Sequence, residues 1–147
     1  MSRVMPESWP LPELNEKTRP FFTSGCIMLQ ICGRCGQTQH PPEDVCFACQ
    51  FTEFNFTEHQ GTGTIYSFTE IVYPIHPNLK AAVPYLVALV SLTDAPDVRI
   101  LGNLIDISPD EVRIGLSVEA VWSEVRNEPS KDVYLLPQWR RVSKNTA

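Results

Sequence analysis

Cys32-Gly33-Arg34-Cys35, ten intervening residues, then Cys46-Phe47-Ala48-Cys49 is the stretch on which the reading of this chain turns. Four of the five cysteines in 147 residues fall within eighteen positions. A CxxC turn lets two thiolates approach one ion at about 2.3 Å, and two such turns supply the four ligands of a tetrahedral site. Gly33 and Gly36 suit the tight first turn, where backbone amides fold back toward the sulfurs. The second turn carries Phe47 and Ala48 where glycine would be expected, and Pro41 and Pro42 suit a stiff returning loop. The spacing predicts a zinc ribbon or rubredoxin-like knuckle over residues 26–60, with Cys32, Cys35, Cys46 and Cys49 as ligands. Iron fits the same four sulfurs, so zinc and iron both stand. A disulfide framework would need an oxidising compartment, and a redox CxxC would occur once, near a βαβ pattern. Four thiolates leave no open coordination position, so the metal is expected to hold the fold and not to react. Cys26, with no histidine near it in sequence, reads as a small buried hydrophobe at the start of a strand over Ile27–Ile31.

Before the ribbon, Leu11, Leu14, Thr18, Phe21 and Phe22 fall close to one helical face, interrupted by Pro20. Residues 1–25 are therefore predicted as a short helical hairpin: one helix ending near Lys17, then a turn with Thr18 as N-cap, Pro20 in its first turn and Gly25 past its end. Trp9, Leu14, Phe21 and Phe22 give this segment an aromatic-rich edge that it cannot bury by itself. They pack on the main body or on a partner, and are the candidate partner-binding residues.

After the ribbon the chain reads as β. Thr62–Ile75 alternates, Tyr85–Leu92 is a nearly continuous apolar strand, and Val98–Ile105 and Glu111–Val125 supply at least two more. Turn signals such as Thr93-Asp94-Ala95-Pro96-Asp97 and Ser108-Pro109-Asp110 separate them. About five short strands over residues 61–130 suggest a small closed Greek-key barrel, with an OB-fold the best fit. Thirteen prolines spread along the chain support short strands over long helices. The predicted class is mainly β: helical hairpin, four-cysteine ribbon, five-stranded barrel. Residues 131–147, with Trp139, Arg140, Arg141 and Lys144, are read as a solvated C-terminal tail.

Charge and composition exclude several functions. The formal charge is −5, from 12 basic and 17 acidic residues. Within 61–125 the basic residues are Lys80, Arg99 and Arg113 against eight or more acidic ones, a surface that repels phosphates. Nucleic acid is not an expected partner. The longest apolar run, Ala81–Val90, has ten residues and contains Pro84, too short to span a bilayer. No h-region opens the chain, so the protein is expected in the cytoplasm. His40, His59 and His76 lie in three segments with no carboxylate at fixed spacing, and no phosphate-binding or nucleophile-elbow motif occurs. No catalytic residue is assigned. His76, with Tyr73 in the loop Tyr73-Pro74-Ile75-His76-Pro77, is a candidate rim of a ligand channel.

These motifs, read together, resemble a family. Thr18-Arg19-Pro20-Phe21-Phe22, Cys32-x-x-Cys35-Gly36, Pro41-Pro42, Cys46-x-x-Cys49, Gly61-Thr62-Gly63-Thr64-Ile65-Tyr66-Ser67-Phe68-Thr69, Pro84-Tyr85, Leu101-Gly102-Asn103-Leu104 and Ile114-Gly115-Leu116-Ser117-Val118-Glu119 are similar to the acyl-CoA-associated OB-fold proteins with an N-terminal rubredoxin-like zinc ribbon. The likeness covers roughly residues 10–125. It implies a zinc-containing accessory subunit in a hetero-oligomer with thiolase-superfamily enzymes, or with MaoC-like hydratases or aldolases. The nucleophilic cysteine and its histidine would then belong to the partner, and this chain would bridge subunits and shape a substrate channel. Multicomponent enzymes that C-acetylate phloroglucinols use a short protein of this kind. A stand-alone acyl-CoA or small-molecule binding module is the alternative.

Overall fold

The computed structural model describes residues 3–143. β1 (Ile27–Cys32) is the centre of the first unit. It pairs antiparallel with the two-residue β2 (Thr38–Gln39) on one side and with β3 (Phe54–His59) on the other. Ile27 and Leu29 are fully buried on its inner face, and its last residue, Cys32, is the first of the four clustered thiols. Gln30, also buried, is satisfied by a small polar network: its amide donates to Glu43 O at 2.7 Å, and its Oε1 accepts from Gln39 Nε2 at 2.9 Å and from Glu43 N at 3.0 Å.

The second unit is a closed barrel of five strands in the order β4 (Thr62–Ile71), β5 (Tyr85–Leu92), β6 (Arg99–Ile105), β8 (Val133–Arg141), β7 (Ser117–Arg126). β5 shows why the barrel forms: Leu86, Ala88, Val90 and Leu92 point inward and alternate with half-buried residues, the two-residue period of a strand with one face on a core. β4 is long and changes partners. Its first part lies between two strands, with Thr62–Thr64 paired with β7 and Gly63–Ile65 paired with β5; after a bulge at Tyr66, Ser67–Ile71 pair with β5 alone. Gly63 packs its Cα closely against Val90 and Ser91 of β5. A Cβ there would press into Ser91 O and lie 2.6 Å from Val90 Cγ1, so only glycine fits without displacement.

Three expectations change. The tail at 131–147 is in its described part a barrel strand: β8 pairs with β7 along its whole length and with β6, in parallel, at Leu104↔Trp139 and Ile105↔Arg140. The barrel therefore extends to Arg141 and not to 130, because Tyr134 and Trp139 are apolar side chains with a place in the core. Lys144 lies outside the described residues. The helical hairpin reduces to α1 (Arg19–Thr23), the one α-helix among the described residues. In place of a first helix, Asn15 Oδ1 accepts from the amides of Lys17 and Thr18, and Thr18 Oγ1 donates to Glu13 O at 2.7 Å. Such side-chain bonds compete with a helical ladder. The strand expected from Glu111 begins at Ser117, because Ser108 and Glu111 form a capping box around the 3-10 turn Pro109–Glu111 and Gly115 turns the chain at φ +89°.

The two units share one core. Phe21, Ile27 and Leu29 join Ile65, Leu86, Val90, Ile100, Leu104, Val118 and Trp139 in a single buried cluster. No helix is long and apolar enough to cross a membrane, among the described residues.

Candidate metal centre

The two CxxC turns have matching backbones. Cys32 O accepts from Gly36 N at 3.1 Å, and Cys46 O accepts from Gln50 N at 2.9 Å. Gly33 N donates to Glu53 O and Cys46 N donates to Phe51 O, so each turn is also tied to the strand entering β3. The residue after the second cysteine of each turn is left-handed, Gly36 at φ +73° and Gln50 at φ +63°. The glycine requirement of such a turn thus falls after the turn. That is why Phe47 and Ala48 are tolerated inside the second one, while Gln50 adopts an unfavourable backbone.

These turns bring all four sulfurs within 4.8 Å of one another, with Cys32 Sγ–Cys49 Sγ and Cys35 Sγ–Cys46 Sγ both 3.6 Å. A tetrahedron with 2.3 Å metal–sulfur bonds has sulfur–sulfur edges of about 3.8 Å, so the cluster is the right size for one thiophilic cation. Cys32 and Cys46 are buried, Cys49 partly so, and Cys35 is exposed. Burial pushes the Cys32 thiol up, but amide hydrogen bonds from Cys35 and Arg34 and the neighbouring thiols outweigh it and bring it down to about 6. At Cys35 the amide of Gln37 acts downward, yet burial and the three other thiols prevail and push it up to about 12. Four sulfurs this close cannot all ionise without a cation between them. The donor set fits a closed, four-thiolate metal site. Cys26 lies outside it, half-buried ahead of β1.

The other candidate residues scatter. Phe21 goes into the core, against Phe22 at 5.1 Å and the ring of His40 at 4.8 Å, and is no longer available to a partner. Phe22 packs on the same cluster. Trp9 and Leu14 are half-buried, and Trp9 meets His76 edge-on at 5.7 Å. His76 Nδ1 accepts from Asn78 N at 3.1 Å and so caps the turn Pro77–Leu79. Tyr73 is 77% exposed. His40 is held neutral by burial, its pKa brought down to about 4. His59 does find a carboxylate, Asp94 at 3.4 Å, and Asp94 also accepts from Gln60 N, joining ribbon to barrel. No fixed spacing announces a pair 35 positions apart. The largest exposed apolar side chains, Val72, Tyr73, Ile75, Leu101, Ile114 and Phe47, are mostly ones that sequence periodicity assigns to strand faces and not to a surface.

Comparison with known proteins adds to this geometry. The family "ChsH2, C-terminal OB-fold domain" matches residues 57–123. A probable enoyl-CoA hydratase alpha subunit of Thermomonospora curvata is 33% identical over 128 residues, 85% of this chain, which spans only 39% of that protein. A DUF35 domain-containing scaffold protein of Methanothermobacter thermautotrophicus is 33% identical over 101 residues, 66% of this chain and 71% of that one. A chain of the solved Ltp2-ChsH2(DUF35) aldolase superposes with a TM-score of 0.73 at 32% identity, over 89% of this chain and 98% of that chain. A ribbon with four clustered thiols running into a five-stranded barrel, at these identities, places the chain in the DUF35 family of acyl-CoA-associated OB-fold proteins.

Proposed function

We propose that this chain is a non-catalytic subunit that assembles with the enzyme subunits of an acyl-CoA-processing complex. Zinc in the four-cysteine site would hold its ribbon. The observation that carries this reading is the likeness to nearly the whole of one chain of a two-component aldolase. Two further facts support it. The relatives are described as a scaffold protein and as alpha subunits of hydratases, and the chemistry-bearing histidines here serve packing, junction and capping. Four thiolates with no open position suit a structural ion, and zinc is the preferred one for such a set. All five cysteines are free, in keeping with a reducing cytoplasm.

Within this reading, the family resemblance favours a thiolase-superfamily partner and C-acyl transfer, such as acetylation of phloroglucinol-type acceptors. The names of the relatives favour a hydratase or aldolase partner. Trp9, Leu14 and Phe22 are assigned to the partner contact, and Tyr73 and His76 to the rim of a substrate passage. The test is purification of the tagged chain from its native cells, followed by native mass spectrometry. A thiolase-like subunit in fixed ratio supports the acyltransferase complex, and a hydratase or aldolase subunit supports the second reading. The chain alone, with one metal and a bound acyl-CoA, would overturn both in favour of a stand-alone binding module.

A further inference from the structure

The second half of β4 has an unpaired edge. Gly61 O accepts from Ala120 N and Ile65 O from Gly115 N, while Thr62 O accepts from Thr93 N. Residues 61, 63 and 65 therefore turn their amides and carbonyls toward β7, and 62 and 64 toward β5. The bulge at Tyr66 shifts the alternation by one. Ser67, Thr69 and Ile71 then face β5, and Phe68 and Glu70 face outward, where β7 has already left the ladder. No backbone partner covers that edge among the described residues. Its guards are few: apart from the bulge at Tyr66 and the single charge of Glu70, there is no lysine or proline from Tyr66 to Val72.

We propose that two copies of this chain pair through this edge, antiparallel about a twofold axis at Thr69. This inference stands apart from the proposed function. The register follows from the sequence. An axis at Thr69 sets Phe68 opposite Glu70 of the second copy and makes four backbone hydrogen bonds, and each Glu70 meets an apolar neighbour instead of its own charge. An axis at Glu70 would set the two carboxylates against each other. Thr69 meets Thr69 of the second copy in the closer, non-hydrogen-bonded pair. The apolar surface for such a contact is already exposed on this arm: Tyr66 50%, Phe68 38%, Val72 68%, Tyr73 77% and Ile75 79%. At about 200 Å² per ring the three aromatics alone expose roughly 330 Å². With Val72 and Ile75, and doubled by the twofold, the arm offers at most about 1,000 Å² of apolar surface for burial, the scale that separates specific interfaces from casual contacts.

Sedimentation velocity of the full chain with its metal, from low to high micromolar, should show a species of twice 16.6 kDa. Glu70→Pro removes a backbone amide that faces the free edge, together with the exposed carboxylate, and no hydrogen bond to β5, so it should raise the dimer dissociation constant at least tenfold and leave the thermal melt and metal content unchanged. Thr69→Cys places two thiols on Cα atoms about 4.5 Å apart, within disulfide reach, and should give a covalent dimer on mild oxidation. Val72→Cys, which would sit opposite Tyr66 of the second copy, should not. A monomeric wild type at every concentration, a dimer that survives Glu70→Pro, or equal cross-linking of the two cysteine variants would each overturn the proposal. A monomeric wild type that loses an enzyme subunit on Glu70→Pro would assign the edge to that subunit's strand instead.

Discussion

Replacing Gly102 by alanine and Trp139 by phenylalanine, singly and together, tests whether the last strand is part of the core. Trp139 on β8 is fully buried, and a Cβ on Gly102 of β6 would lie 2.9 Å from its Cδ1 and Nε1. The indole is fully buried, so the ring has little room to retreat from that methyl, which would also lie 3.5 Å from Pro137 O. Gly102→Ala should therefore act as overpacking and cost about 1–3 kcal/mol. Trp139→Phe removes part of the ring and leaves a cavity. It also removes an indole N–H that is buried without a hydrogen-bond partner among the described residues, so its net cost should be about 1–2 kcal/mol. In the double variant the alanine methyl enters space the smaller ring has vacated, and the combined loss should fall short of the sum by 0.5–3 kcal/mol, as expected for touching residues. Urea unfolding followed by far-UV circular dichroism gives all three values without using the tryptophan signal. With a urea slope of about 1–3 kcal/mol per molar, the coupling is a readable shift in midpoint. Additivity within about 0.5 kcal/mol, or a Trp139→Phe variant of unchanged stability, would refute the placement of β8 in the core and restore the solvated tail.

Cys46→Ser removes a buried ligand, and because structural zinc contributes on the order of 10 kcal/mol to folding its ribbon, the variant should lose its metal and become protease-sensitive over residues 26–60; metal analysis and limited proteolysis check this, and a folded, metal-loaded Cys46→Ser would contradict a structural site. Gln50→Gly relieves a left-handed backbone and should stabilise the chain by about 1 kcal/mol in thermal unfolding, whereas glycine at the neighbouring Ala48 should not. His40, with a folded pKa of about 4 against an ordinary 6.5, is neutral in the fold, so the unfolded chain binds its proton first on acidification. That contribution is complete above pH 6.5 and is lost between 6.5 and about 4. His40→Phe should flatten stability against pH across that window, by up to about 3 kcal/mol relative to wild type. An unchanged slope would place the acid sensitivity elsewhere.

The parts of the fold that were legible in the sequence are those set by local spacing. Two CxxC turns ten residues apart fix a four-sulfur cluster whatever surrounds them, and the alternation of Tyr85–Leu92 fixes one inward face. Features set by distant partners were not legible. Nothing local distinguishes Val133–Arg141 from a frayed end: the strand contains Pro137 and closes with Arg140 and Arg141, which face outward to Glu119 and Glu111. Only β7 and β6 on either side make it a strand. Phe21 and Phe22 illustrate the same limit. Their exposure depends on whether β1 and β8 lie behind them, and sequence periodicity carries no information about that. The four-cysteine cluster was legible, and so was Gly36 of the first turn, but the matching left-handed position of the second turn was not, because it is held by Gln50, a residue with no glycine signal. The exposed apolar arm of β4 read as an ordinary strand, since its exposure arises because β7 starts only at Ser117, opposite Thr64, and leaves the edge beyond Ile65 without a strand.

The shared core gives the metal a mechanical meaning. β1 carries Cys32 at its end and Ile27 and Leu29 in the cluster that also holds Ile65, Val90 and Trp139, so a single strand of six residues runs from the metal ligands into the barrel. A cation on the four sulfurs would fix where β1 ends, the pairing Cys32↔Phe54 fixes β3 against it, and β3 runs on into β4 through His59 and Gln60, both held by Asp94. Each link is short, and none contains a glycine-rich hinge: of the two residues between β3 and β4, Gln60 and Gly61, only the second is glycine, and a Cβ there would sit 3.2 Å from Ala120 Cβ. The ribbon's exposed Phe47 and Val45 and the barrel's exposed Tyr66 and Leu101 are thereby held at fixed separation. If the chain bridges subunits as proposed, that separation is the quantity to be controlled. A four-thiolate ion would control it without offering a coordination site where substrate chemistry could occur.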